Sequence, residues 1–181
     1  MTKKHVMTTF ALLVFGLAAP SFASTLTYTA TLNGASESSP NKSGGLGFAT
    51  FTLTGDLLTV NMTFSDLSAP ASAAHIHCCG PVGASEPVVL PFAGFPSTTS
   101  GSYSNTFDLS TFAFSGGGSE SALIAGLNSG MTYANIHNVN FPAGEIRGQI
   151  AASAVPEPSS LLLLATGAVG VAGALRRRMA A

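Results

Sequence analysis

The sequence predicts an all-β protein, one antiparallel sandwich interrupted by a single short helix and followed by a C-terminal transmembrane helix. Three observations predict it. Short runs in which polar and apolar residues alternate recur along the chain, each closed by Gly, Pro, Ser or Asn. One segment, 119–130, carries helix signals instead. Near the end, 159–175 is an apolar run followed directly by Arg176, Arg177 and Arg178.

Residues 26–32 alternate small polar and larger side chains, and Asn33-Gly34 ends them with a turn signal. After a polar loop at 37–45, the segment 47–53 sets Phe48, Thr50 and Thr52 on one face and Ala49, Phe51 and Leu53 on the other. Gly55-Asp56 then turns the chain into 57–64, where Leu58, Val60, Met62 and Phe64 share a face, the clearest hairpin in the sequence. Further strands are expected at 73–77, 87–91, 100–107, 132–137 and 145–151. The helix opens with Ser119 as N-cap and Glu120 beside the positive end of the dipole. Ala122, Leu123, Ile124 and Leu127 supply its apolar face, and Gly130 closes it.

Both ends carry addresses. Lys3 and Lys4, the apolar run 6–19 and Ser21-Phe22-Ala23 before Ser24 have the order of a secretory signal peptide at 1–23, removed by signal peptidase. At the other end, 153–158 is a Pro-rich linker holding Pro156-Glu157-Pro158, and 159–181 combines the hydrophobic helix with the arginine tail. Motif, helix and arginines in that order resemble the PEP-CTERM sorting signal of Gram-negative bacteria. The resemblance implies recognition by an exosortase, a membrane transpeptidase. It further implies an inner-membrane intermediate held by the C-terminal helix, processing near the motif, and delivery to the outer surface or extracellular matrix.

The segment between the signals, 24–152, is one domain with enough chain to bury a core. It holds two cations, Lys42 and Arg147, against seven carboxylates, a net charge of −5. Nucleic acid is excluded as a partner, because binding it requires clustered cations to displace counterions. The low charge is compatible with a surface that lies against polysaccharide or a matrix protein.

Two stretches of the domain carry a resemblance. The first is Ala73-Ala74-His75-Ile76-His77 with Gly80-Pro81 shortly after it; the second is Tyr133-Ala134-Asn135-Ile136-His137 leading into Phe141-Pro142-Ala143-Gly144-Glu145-Ile146-Arg147-Gly148-Gln149-Ile150. They resemble the two signature blocks of the CHRD domain, named for its occurrence in chordin, and the likeness covers 26–151. It implies a secreted β-sandwich, immunoglobulin-like or superoxide-dismutase-like, of a kind found in bacteria largely without an assigned activity. Cys78-Cys79, inserted between His77 and Gly80-Pro81, departs from the common pattern.

Those blocks also hold the candidate chemistry. His75 and His77 lie two apart, so on a strand their imidazoles share a face, a spacing suited to chelating one metal. His137 ends another expected strand, and these three are all the histidines left once the signal is removed. Zinc or copper is the natural guest, with Glu145 as the nearest carboxylate of the motifs and Cys78 or Cys79 as added sulfur. The competing reading has the histidines bonded to neighbouring backbone, with Glu145 and Arg147 forming cross-strand polar pairs. A dinuclear dismutase site needs about twice as many imidazoles as the chain provides. The cysteines can close a vicinal disulfide, pair with another chain or stay reduced; the vicinal disulfide is favoured, because an even pair in an exported chain is usually oxidised.

No nucleophile elbow of the G-x-S-x-G type occurs, and Gly116-Gly117-Gly118 lacks the Lys-Ser/Thr of a phosphate loop. The sequence therefore favours a non-enzymatic binding or structural module at the cell surface or in the extracellular matrix. The alternative is a mononuclear metal-binding protein or metalloenzyme using His75, His77 and His137.

Overall fold

The computed structural model describes residues 24–153 and 160–180, so the signal peptide and Pro156-Glu157-Pro158 lie outside the described residues. Eight strands form: β1 (Thr25–Asn33), β2 (Leu46–Thr54), β3 (Leu57–Ser65), β4 (Ala71–Cys78), β5 (Val88–Pro91), β6 (Gly101–Asp108), β7 (Thr132–Asn138) and β8 (Ile146–Ala152). Helix α1 (Glu120–Ser129) precedes β7, and α2 (Ser160–Met179) follows the domain. Every strand expected from alternation is present.

The strands make one antiparallel sheet in the order β5-β4-β7-β8-β1-β2-β3-β6. The two layers of the sandwich are thus continuous through the β8–β1 pairing, with Thr29 opposite Ala151 and Asn33 opposite Arg147. The sheet curls because its apolar side must leave water: Tyr28, Leu32, Phe51, Leu58, Val60, Ile76, Leu90, Ile136 and Ile150 are all buried in one core. Aromatic rings join the two ends of the ladder. Phe92, just past β5, stacks on Tyr103 of β6 at 5.3 Å between ring centroids and lies 6.2 Å from Phe107.

The β2–β3 hairpin pairs Thr54 with Leu57 around a two-residue loop, and Gly55 takes the positive φ of 57° that such a loop demands. Helix α1 starts where Ser119 accepts a hydrogen bond from the Ala122 amide and ends at Gly130 in the left-handed region. Leu123, Gly126 and Leu127 face the core. Gly126 is required by close approach: a Cβ there would stand 2.6 Å from the Cys78 sulfur.

Helix α2 ends in Arg176, Arg177 and Arg178, cations that suit the negative end of its dipole. Leu164, Val169 and Val171 are exposed, so it is not a buried core helix. Among the described residues no helix is long and apolar enough to cross a membrane. The segment expected as a transmembrane span, 159–175, is thus helical from Ser160 onward and carries a basic last turn.

The register makes a direct test. Phe51 is fully buried, whereas Phe48, three residues earlier in β2 and on the opposite face, is 48% exposed. Phe51→Ala should cost about 3–5 kcal/mol in denaturant unfolding, and Phe48→Ala no more than about 0.5 kcal/mol. Equal costs would contradict the register.

Candidate metal centre

Strands β4, β7 and β8 have a second face, turned away from the core. His75 and His77 of β4 point to it, as do Tyr133, Asn135 and His137 of β7 and Arg147 of β8. His75 pairs with Asn135 and His77 with Tyr133, while His137 stands opposite Ala73 and so lies diagonal to His75. The three imidazoles converge: His75 is 5.0 Å from His137 and 5.7 Å from His77 between ring centroids, and one nitrogen from each ring lies within 4.8 Å of the others.

Two loops orient the rings. The loop after Cys79 returns the Glu86 carbonyl to accept from His77 Nδ1 at 2.7 Å, and the β7–β8 turn brings the Pro142 carbonyl to His137 Nδ1 at 3.0 Å. A carbonyl only accepts, so Nδ1 of each ring carries the proton and the lone pair sits on Nε2. Both Nε2 atoms, and Nδ1 of His75, are buried without a hydrogen-bond partner. The backbone carbonyls on His77 and His137 match the outer hydrogen bonding that metal-bound histidines use.

Those loops are themselves tied down. Tyr133 accepts from the Glu86 amide at 3.1 Å, and Cys78 N–H donates to the Pro87 carbonyl at 3.3 Å. In the β7–β8 turn, Asn138 Oδ1 accepts from the amides of Asn140 and Phe141 at 3.1 and 2.9 Å.

His77 lies flat on Tyr133, 4.5 Å between centroids and 7° between planes, and the Arg147 guanidinium carbon is 3.4 Å from the centre of the same ring. Arg147, 2% exposed, donates to the Ala84 carbonyl at 2.8 Å and leaves Nη2 without a partner. Glu37, from the loop after β1, accepts from Asn135 at 2.6 Å. Burial pushes its carboxyl up to about 7, against the lowering effect of Arg147 and the Ser38 amide.

Burial likewise lowers all three imidazoles. His75 falls to about 4, burial acting first and the neighbouring His137 and His77 adding to it. His77 is lowered by burial, then by His137 and Arg147, against its bond to the Glu86 carbonyl. His137 is lowered by burial against its bond to Pro142. All three are thus neutral near pH 7, the form that ligates a metal.

Two expectations need correcting. Glu145 is not beside the histidines: its buried carboxylate accepts from Ser43 Oγ at 2.6 Å, the Ser68 amide at 2.7 Å and Asn138 Nδ2, clipping the β7–β8 turn to two other loops. Of the cross-strand polar contacts expected for Glu145 and Arg147, Arg147 packs on Tyr133 of the adjacent β7 and donates to the Ala84 carbonyl, whereas the Glu145 carboxylate goes to Ser43, Ser68 and Asn138. The sulfurs do not join the cluster either. Alternation along β4 turns Cys78 toward α1, and its disulfide holds Cys79 beside it, the two sulfurs lying 3.7 and 3.3 Å from the Ala122 carbonyl. Among the described residues the converging donor set is three imidazoles.

The elements that build this site are the two histidine blocks. A family model for the CHRD domain matches residues 28–150, most of the chain. The chain belongs to the CHRD domain family. A model for the PEP-CTERM protein-sorting motif matches residues 154–178, which supports export to the cell surface or exterior by an exosortase-type system. No curated protein and no solved structure matches the chain.

In the CHRD domain the histidines and Glu37 set opposite pH dependences. His75 stays neutral to about pH 4, while in the unfolded chain it protonates near 6.5. Its contribution is complete above pH 6.5 and is lost as pH falls toward 4, because the unfolded state then binds more protons. Glu37 holds its proton to about pH 7 rather than 4.5, so its contribution is lost as pH rises through that window. In Glu37→Gln, without metal, the melting temperature should therefore fall more steeply than in wild type between pH 6.5 and 5. A shallower acid decline would contradict these assignments.

Proposed function

We propose that this exported CHRD protein is a non-enzymatic module of the cell surface or extracellular matrix that binds one zinc or copper ion through His75, His77 and His137. One observation carries the reading: three imidazoles converge so that one nitrogen of each lies within 4.8 Å of the others, and each ring keeps a buried nitrogen without a hydrogen-bond partner. Buried polar atoms left unpaired cost about 1–3 kcal/mol each, so three on a common focus favour a ligand there. Two of the rings are held by backbone carbonyls, which fixes the tautomer an ion requires.

An ion bound at about 2.1 Å holds imidazole nitrogens roughly 3.4 Å apart, so side chains now within 4.8 Å have to close by no more than about 1.4 Å. Nitrogen donors without thiolate suit zinc or copper better than calcium or magnesium, which take oxygen. The matrix protein or polysaccharide that the sequence leaves as a partner would engage surfaces outside this cluster.

Isothermal titration should give one zinc or copper ion per chain, and a metal excess of about a hundredfold over Kd should stabilise the fold by about 2.7 kcal/mol. His75→Ala and His137→Ala should each remove the effect, and chelator should restore the metal-free melting curve. Identical melting with and without either metal would refute the proposal.

A further inference from the structure

The other layer of the sandwich presents a different surface. On the outer face of β1, β2, β3 and β6 the register aligns Thr29, Thr50, Asn61 and Ser104 in one row across four strands. The adjoining rows are serine or threonine on every strand, with Phe48 as the exception. Hydroxyls and amide thus form a lattice spaced about 4.8 Å between strands and about 6.8 Å along them. Some of it is already internally bonded: Thr59 to Thr106 at 2.9 Å, and Ser104 to Asn61 at 2.7 Å. Each of these groups still has lone pairs to offer.

Phe48 stands 48% exposed in this polar field, between two shallow depressions of about 390 and 210 Å³. The larger is lined by Thr50, Asn61 and Ser104 among others, the smaller by Leu46 and Ser65. A half-exposed ring on the solvent side does nothing for the core, as the burial of its neighbours Ala49 and Phe51 shows. Flanked by hydroxyls, it is a platform for the C–H face of a sugar ring.

We infer that this face docks a neutral polysaccharide chain. Charge selects the occupant. None of the three rows holds a charged residue, although the domain carries seven carboxylates against two cations. A polyanion is repelled by the net charge, and a polycation finds no carboxylate in the rows. A chain of uncharged hydroxyls meets matching donors and acceptors, with Phe48 to stack on. The surface shares no residue with the histidine cluster, so the inference stands independently of metal binding.

Native affinity electrophoresis of the exported protein through gels containing dextran, laminarin or galactomannan tests it, with alginate as the anionic control. At least one neutral chain should retard the protein and alginate should not. Phe48→Ala should weaken retardation about tenfold, equivalent to about 1.4 kcal/mol of stacking. Thr63→Glu, which places a charge beside that ring, should weaken it as well, while His75→Ala should leave it unchanged. Retardation by none of the three neutral chains, equal retardation by alginate, or unaltered binding by Phe48→Ala would each overturn the inference. So would sedimentation showing a wild-type dimer that Phe48→Ala dissociates, since the occupant would then be a second copy.

Discussion

The antiparallel pairing of β4 with β7 joins two segments distant in sequence, and the histidine cluster exists only where that pairing sets His75 opposite Asn135 and His77 opposite Tyr133. A slip of one residue would send the β7 side chains to the other face and drive His137 into the core. The core fixes that register: Ala74, Ile76, Ala134 and Ile136, which alternate with the site residues, are buried at 2% exposure or less. Apolar burial on one side of the two strands thus positions the polar chemistry on the other.

The outer side of β4 and β7 is unlike an ordinary solvent face. Six of the seven residues of β7 are buried, because the loop after β1 covers Asn135 through Glu37 and the loop after Cys79 covers Tyr133 and Arg147. Covering polar groups costs free energy unless they are paired. Several are, in part: Asn135 Nδ2 with Glu37, Tyr133 with Glu86 and Arg147 Nη1 with Ala84, while Asn135 Oδ1 and Arg147 Nη2 stay unpaired. The nitrogens that remain unpaired at the focus of the three rings are the groups a metal would satisfy, and the same seclusion that lowers the imidazole pKa values keeps them in the ligating form.

Much of this was legible in the chain, because strand signals are local. The alternation of Leu58, Val60, Met62 and Phe64 and the Gly55-Asp56 turn read directly as β3 and its hairpin. The spacing of His75 and His77 placed both on one face. What escaped depends on contacts far apart in sequence. Glu37 lies in a polar loop with no local mark of its partnership with Asn135 and Arg147. Glu145 looked like a candidate ligand because it is near His137 in sequence, yet the turn carries its carboxylate toward Ser43 and Ser68. Cys78 was set aside by the period of the strand itself, since it follows His77 and so faces the other way, and the disulfide holds Cys79 with it. Nor does any local pattern tell two facing sheets from one sheet that curls through β8 and β1.

In the proposed site, three imidazoles on the covered face of β4 and β7 hold one metal ion. X-ray absorption at the zinc or copper edge of the loaded protein tests it most directly. The nearest shell should contain three imidazole nitrogens at about 2.0–2.1 Å. A shell of oxygens alone, or one with sulfur at about 2.3 Å, would contradict it.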